Sequence, residues 1–306
     1  MLEQVRCNLC GADDTALLTE VDGLHIVQCK RCSLLYVNPR YREDVLQEIY
    51  TETYYDHDGI VNGLEFFGYD NYVADEENIK ITFARRLKTI ERHVSTGRLL
   101  DIGCATGFFL ALAREKGWEV VGTEVSQFGA RYGKEKLGLD VRLGTLKDLN
   151  FDAGAFDVVT LWDVIEHVTD PIAELQEIQR ILCDGGLLSI ITPDAGSLVA
   201  RLLGRRWEEY RRVREHVYFF SRRTIAEMLR RVGFDVLKFE SAGKAFYLGP
   251  AMERLKYYTL DGIVTSTATK WVYRLGLDKI RIHVNPFTKM TVYARKRPAT
   301  GDEKRE

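Results

Sequence analysis

Between residues 97 and 193 the apolar positions follow a repeating pattern in which short continuous runs alternate with stretches of helical spacing. The runs RLLDIG, WEVVGTEVS, DVRLG, FDVVTLW and GGLLSIITP are of strand length, and RLLDIG, FDVVTLW and GGLLSIITP have the apolar character of buried strands. Between them, GFFLALAREKG and QFGARYGKEKLG have helical spacing and stop at Gly117 and Gly138. A further helix opens at Asp170 with Pro171 in its first turn. Strands alternating with helices require right-handed crossovers, so the pattern predicts an α/β fold with a doubly wound, mostly parallel sheet. In that architecture ligands sit beyond the carboxyl ends of the strands.

Outside this region the pattern changes. REHVYFFSRRTIAEMLRRVGF (214–234) predicts an aromatic, strand-like run, then a helix capped by Ser221 and closed by Gly233. FDVLKFESA (234–242) and FTKMTVYARKR (287–297) predict two more strands. The intervening insertion, 244–285, carries Phe246, Tyr247, Leu255, Tyr257, Tyr258, Trp271 and Tyr273 among lysines and arginines, and is expected to form a helical cap. Peripheral membrane contact is the lesser alternative for it. Upstream, 43–96 combines acids with Tyr50, Tyr54, Tyr55, Phe66, Phe67, Tyr69 and Tyr72, and ends in a helix-like segment. These aromatics form either a lid or a packing surface. The tail, 298–306, is expected to be disordered.

Composition narrows the class without naming an activity. The 306 residues are 45% apolar and 29% charged with a net charge of −2, which describes a soluble globular chain and argues against bulk nucleic-acid binding. MLEQVRCNLC has no basic run followed by an apolar stretch, so a cytoplasmic location is expected. One local asymmetry stands out: from 201 to 231 ten arginines face four glutamates, a local net of +6. That is either a solvated helix face or a surface for an anionic group, which arginine forks suit.

Four of the six cysteines form two CxxC pairs, Cys7/Cys10 and Cys29/Cys32, separated by eighteen residues. This spacing suits two knuckles supplying four thiolates to a structural zinc ion, with reduced pairs or disulfides as the alternatives. A ribbon of about forty residues is too small to rest on its own core, and metal binding would stabilise it. Cys104 and Cys183 fall outside the pattern and are expected to be buried thiols.

The first strand ends in LDIGCATGFF (100–109). A dinucleotide fingerprint needs glycine at 103, 105 and 108, and only Gly103 matches; a phosphate-binding loop ending in Gly-Lys-Ser/Thr is absent. The motif D-x-G-C-x-T-G, followed by Glu124 at the end of the second strand and LWDVIEH at the fourth, resembles the class I S-adenosylmethionine-dependent methyltransferases. The resemblance covers about 97–240 and returns at the C-terminus, and it implies their seven-stranded Rossmann-like sheet. It also implies that Asp101, Gly103, Cys104, Ala105, Gly107, Glu124, Val125, Thr145, Leu146, Leu161 and Trp162 hold S-adenosylmethionine, with Glu124 on the ribose hydroxyls. The family's motif has glycine where this chain has Ala105. A methyl group there costs little at negative φ and about 1 kcal/mol or more in a left-handed conformation, and tolerance is the expectation.

Asp163, Glu166 and His167 share a face if their segment makes a helical turn. Their pattern resembles the quinone-biosynthesis O-methyltransferases, where an acid-acid-His set is proposed to bind magnesium. Here magnesium is the lesser reading, beside His167 as a base or as a turn-fixing residue. His216 resembles the histidine that precedes the last large helix in a zinc-ribbon branch of bacterial methyltransferases, which would put it on the substrate side as a base; otherwise it packs. The implied function is O-methylation of a sugar, glycan or other small biosynthetic intermediate, with or without a phosphate. An RNA methyltransferase with an N-terminal zinc ribbon is the alternative, and a non-catalytic cofactor-binding scaffold the third. The expected organisation is 1–42 zinc ribbon, 43–96 lid and linker, 97–243 with 286–297 core, 244–285 cap and 298–306 tail.

Overall fold

The computed structural model describes residues 2–48, 55, 59–61, 64–66, 72–255 and 262–298. Tyr50, Tyr54, Phe67, Tyr69, Tyr257, Tyr258 and the tail from 299 lie outside them.

A seven-stranded sheet forms the centre, in the order Asp140–Leu143, Glu119–Glu124, Arg98–Ile102, Phe156–Trp162, Leu182–Pro193, Lys289–Lys296, Phe234–Ser241. The strands are parallel except Lys289–Lys296, which runs antiparallel to both neighbours. Leu99, Leu100, Val158, Val159, Leu161, Leu187 and Leu188 are wholly buried. Both sheet faces are therefore covered, which explains the unbroken apolar runs. Strand order reverses between Arg98–Ile102 and Phe156–Trp162, and this switch opens the cleft at their carboxyl ends.

The helix signals act as the sequence predicts. Asp170 accepts from the Ala173 amide with Pro171 in the first turn, and Ser221 accepts from the Thr224 amide. Gly138 ends its helix in a left-handed conformation at φ +60°. No described helix is long and apolar enough to cross a membrane.

Three features depart from the expectations. The N-terminal segment does not close its own sheet: Thr15–Val21, Leu24–Cys29 and Leu35–Val37 are completed by Tyr218–Phe219, which pairs Tyr36 with Tyr218 and Leu35 with Phe219. Its apolar face packs Leu24, Ile26 and Val37 against Trp207, Tyr210, Val213 and Phe219 in one cluster. A ribbon with so little apolar surface gains a core by borrowing one. The insertion is not purely helical either, since its helices Leu248–Leu255 and Gly262–Arg274 rise from a ladder of Lys244–Tyr247 with Arg281–Val284. Cys104 is buried, but Cys183 is only half-buried, with Sγ 3.6 Å from Asp157 Oδ1.

Candidate active site

A cavity of about 300 Å³ occupies the cleft. Its floor is the loop after Arg98–Ile102. Gly103 sits at φ +68°, and a Cβ there would meet Val164 Cγ2 at 2.5 Å, so both its conformation and its surroundings exclude a side chain.

Ala105 also adopts a left-handed conformation, φ +51°. The negative φ that would have made its methyl inexpensive is absent, so the residue carries a strain of about 1 kcal/mol. The offsetting contact is the Ala105 amide, which donates to Glu124 Oε2 at 2.7 Å, while the Ser126 amide donates to Oε1 at 2.8 Å. Glu124 thus ties the loop to the second strand, and the Tyr55 side chain hydrogen-bonds the same carboxylate. Burial nonetheless pushes Glu124 up. Asp101 accepts from Thr160 Oγ1 at 2.5 Å, and burial, reinforced by Glu124, pushes it to about 7.

Asp101, Gly103, Cys104, Ala105, Glu124, Val125, Thr145, Leu146 and Trp162 all line the cavity. Gly107 and Leu161 do not. Gly107 is the cap of helix Phe108–Glu115, at φ +85°, and Leu161 is fully buried in the sheet core. Trp162 is fixed from three sides: Phe109 and Phe83 lie 4.4 and 5.5 Å away between ring centroids, and Nε1 donates to Ser189 Oγ.

One wall escaped the sequence analysis. Helix Glu76–Ile90, entered through Asp75, presents Asp75, Asn78, Ile79, Thr82, Phe83 and Arg86 to the cavity at helical spacing. That periodicity was legible in the sequence, but it marked only a helix. Tyr55 and Tyr72 complete this side, with Tyr72 stacked on Phe108 and Tyr55 against Phe128.

Across the cavity, Asp163 and His167 line the wall, but Asp163, Glu166 and His167 do not act as one face. Asp163 is at φ +56° and takes a 2.7 Å ion pair from Lys289. Burial pushes Asp163 up, but Lys289, Lys244 and Arg86 outweigh it and hold the carboxyl well below its ordinary range. Glu166 turns into the interior; neither of its oxygens has a hydrogen-bond partner among the described residues, and burial, with Asp163 nearby, raises it to about 8. The groups gathered instead are Glu166, His167 and His216, whose ligand atoms lie within 4.8 Å of one another.

His216 is not on the substrate side. It is buried outside the cavity lining, its ring meeting that of His167 edge-on at 4.6 Å between centroids. Backbone pairing accounts for the placement: the Val217 and Tyr218 amides both donate to the Glu166 carbonyl, drawing His216 behind His167. Burial, with His167 and Arg212 nearby, lowers His216 well below its ordinary value. His167 Nδ1 lies 3.1 Å from the Glu215 carbonyl oxygen. A carbonyl only accepts, so neutral His167 donates from Nδ1 and keeps its lone pair on Nε2. Burial and Arg212 lower His167 to about 4, leaving it neutral at physiological pH.

The cysteines meet as their spacing suggested. Cys7 and Cys32 Sγ are 3.4 Å apart, Cys10 and Cys29 Sγ 3.5 Å, and all four fall within 4.8 Å. With zinc–sulfur bonds of about 2.3 Å a tetrahedron has edges of about 3.8 Å, so the set fits that ion. The two knuckles repeat one turn: Gly11 N donates to Cys7 O and Ser33 N to Cys29 O, with Gly11 at φ +72° and Ser33 at φ +66°.

A glycine-bearing loop after the first strand, an acid closing the second and a cleft at the switch point define a class I S-adenosylmethionine-dependent methyltransferase. Residues 75–238 match the family described as a methyltransferase domain, and the chain belongs to that family. It is 29% identical over 173 residues to an uncharacterized protein of Methanocaldococcus jannaschii, covering 56% of this chain and 78% of that one. It is similar to ubiquinone biosynthesis O-methyltransferases of Cereibacter sphaeroides (36% over 117 residues; 36% of this chain, 47% of the relative) and Ruegeria pomeroyi (33% over 164; 50% and 65%). The chain therefore spans about half to two thirds of those two enzymes. A solved chain from the complex of the Haloferax volcanii Trm112 methyltransferase activator with a methyltransferase shares the fold at a TM-score of 0.52 and 17% identity, covering 74% of this chain and 95% of that one.

Proposed function

We propose that the enzyme O-methylates a sugar, glycan or related small biosynthetic intermediate, with His167 as the base that accepts the hydroxyl proton. The observation carrying this reading is the neutral imidazole at the cavity wall, held in one tautomer by the Glu215 carbonyl. S-adenosylmethionine supplies an electrophilic methyl group when bound. Asp101, Gly103, Cys104 and Ala105 would cradle its aminoacyl end, Glu124 its ribose hydroxyls, and Val125, Thr145 and Leu146 its base. An ionised carboxylate has about four acceptor sites; the Ala105 and Ser126 amides take two and Tyr55 a third, so Glu124 would take both ribose hydroxyls only with Tyr55 turned aside.

Methyl transfer to oxygen is an in-line displacement, so the protein's main contribution is to hold donor and acceptor in register, on the order of 7–11 kcal/mol in favourable cases. A base adds about 10²- to 10⁴-fold. Asp163 stays ionised beside Lys289, which fixes the turn that presents His167. None of the ten arginines of 201–231 lines the cavity, so a phosphate on the acceptor gains no support from them. The ubiquinone relatives, named as O-methyltransferases, favour oxygen as the acceptor atom. We assign Cys7, Cys10, Cys29 and Cys32 to a structural zinc ion, which would place the chain in the zinc-ribbon branch.

The test is methyl transfer from labelled S-adenosylmethionine to a panel of hydroxyl, amine and carbon acceptors, with calorimetric cofactor binding measured in parallel. Cofactor binding with transfer only to amines or carbon would refute the O-methylation reading.

A further inference from the structure

The ten arginines of 201–231 stand outside the cavity, and half of them are paired with carboxylates within the protein. Arg212, Arg214, Arg222, Arg230 and Arg231 each pair with a carboxylate, and Arg223 donates to the Cys32 carbonyl. The side chains of Arg201, Arg205 and Arg206 make no hydrogen bond or ion pair among the described residues. These three lie on one short outcrop, Leu198–Leu203 and the turn Gly204–Arg206, in which every residue from 201 to 206 is exposed.

The same outcrop carries Leu198, Leu202 and Leu203 at 72%, 78% and 46% exposure. They are presented by a structured element. Ser197 caps the helix by accepting from the Ala200 amide, and the buried Ala200 and Trp207 anchor it on either side. Apolar side chains projected from a rigid base, with unpaired cations beside them, match an interface whose apolar interior lies beneath an anionic surface. The outcrop also stands at the cavity's edge of the sheet. It follows Pro193, the carboxyl end of a strand whose parallel neighbour ends in the cavity-lining Trp162. The insertion springs from that edge too, where Ser241 and Pro193 flank Met290 and Lys289, and it exposes Trp271 and Leu275.

We propose that residues 198–206 form a docking surface for an anionic lipid bilayer. The leucines enter the headgroup boundary, and Arg201, Arg205 and Arg206 contact lipid phosphates. The cavity edge is thereby held at the membrane surface. A bilayer fits better than a protein partner because Arg201, Arg205 and Arg206, all without an ion pair among the described residues, stand beside the exposed Leu198, Leu202 and Leu203 on a chain whose net charge is −2.

Cosedimentation with vesicles of phosphatidylcholine, alone or with about a third phosphatidylglycerol, tests the proposal. Binding to the anionic vesicles and not to the neutral ones is expected, weakening as salt rises. Leu198→Asp/Leu202→Asp is expected to lower partition about tenfold or more. Arg201→Gln/Arg205→Gln/Arg206→Gln is expected to abolish the preference for anionic vesicles. S-adenosylmethionine affinity should remain unchanged in both variants, showing that the core is intact. No vesicle binding, equal binding to neutral and anionic vesicles, or wild-type partition of the leucine variant overturns the proposal. A concentration-dependent dimer that the leucine variant dissociates, with vesicles ignored, overturns it in favour of a second copy of this chain. None of these outcomes alters the methyltransferase assignment.

Discussion

The Ala105 amide donates to Glu124 Oε2 at 2.7 Å, joining a strained loop residue to the acid that ends the neighbouring strand. One carboxylate therefore holds the loop's shape and faces the cavity. Glu124→Ala is expected to weaken S-adenosylmethionine binding about tenfold or more, roughly 1.4 kcal/mol. Calorimetry reads it, and wild-type affinity would remove Glu124 from the cofactor site.

Ala105→Gly relieves the left-handed methyl. It should raise stability by up to about 1 kcal/mol, seen as a higher melting temperature. A lower melting temperature would show that the methyl contributes packing that outweighs its strain.

His167→Ala should leave cofactor affinity unchanged and reduce turnover about 10²- to 10⁴-fold. His216→Ala should reduce turnover less and destabilise the fold by about 2 kcal/mol, because it removes a buried ring that supports His167. The reverse ranking of the two in turnover would restore His216 as the base.

The acid limb of the rate profile follows from the His167 shift. The neutral ring is the reactive form, and burial lowers its value from 6.5 to about 4. Turnover should therefore hold as pH falls through 6.5 and decline only toward about 4. A half-maximal rate near 6.5 would show that the base is a solvated histidine.

Glu166 gives the opposite sign. Its value is raised from 4.5 to about 8, so between those values the folded state holds a proton that the unfolded state lacks. Stability from this group is complete below about 4.5 and lost as pH rises through 8. Glu166→Gln should flatten the fall in melting temperature over that window, and an equally steep fall would assign it to another group.

The strand–helix alternation was legible because strands buried on both faces leave unbroken apolar runs and because Asp170, Ser221 and Gly138 punctuate the helices. The cysteine spacing led to the thiolate cluster for a similar reason, since ligand geometry constrains spacing. What escaped depended on contacts distant in sequence. Nothing near His216 shows that the Glu166 carbonyl takes the two amides after it. Nothing local at Ala105 sets the sign of φ, which the Glu124 carboxylate opposite helps to stabilise. The Lys244–Tyr247 ladder lies beneath a predominantly helical pattern, and helix Glu76–Ile90 shows its amphipathic spacing without revealing that a cavity lies against it.

The pairing of Tyr36 with Tyr218 also sets an order of assembly. On a ribosome the cysteine-bearing hairpins emerge well before Tyr218–Phe219, the strand that completes their sheet. Until then Leu35–Val37 has an unpaired edge, a template for misassociation with other nascent chains. An ion held early by the four cysteines would steady the hairpins during that wait, acting as a folding chaperone.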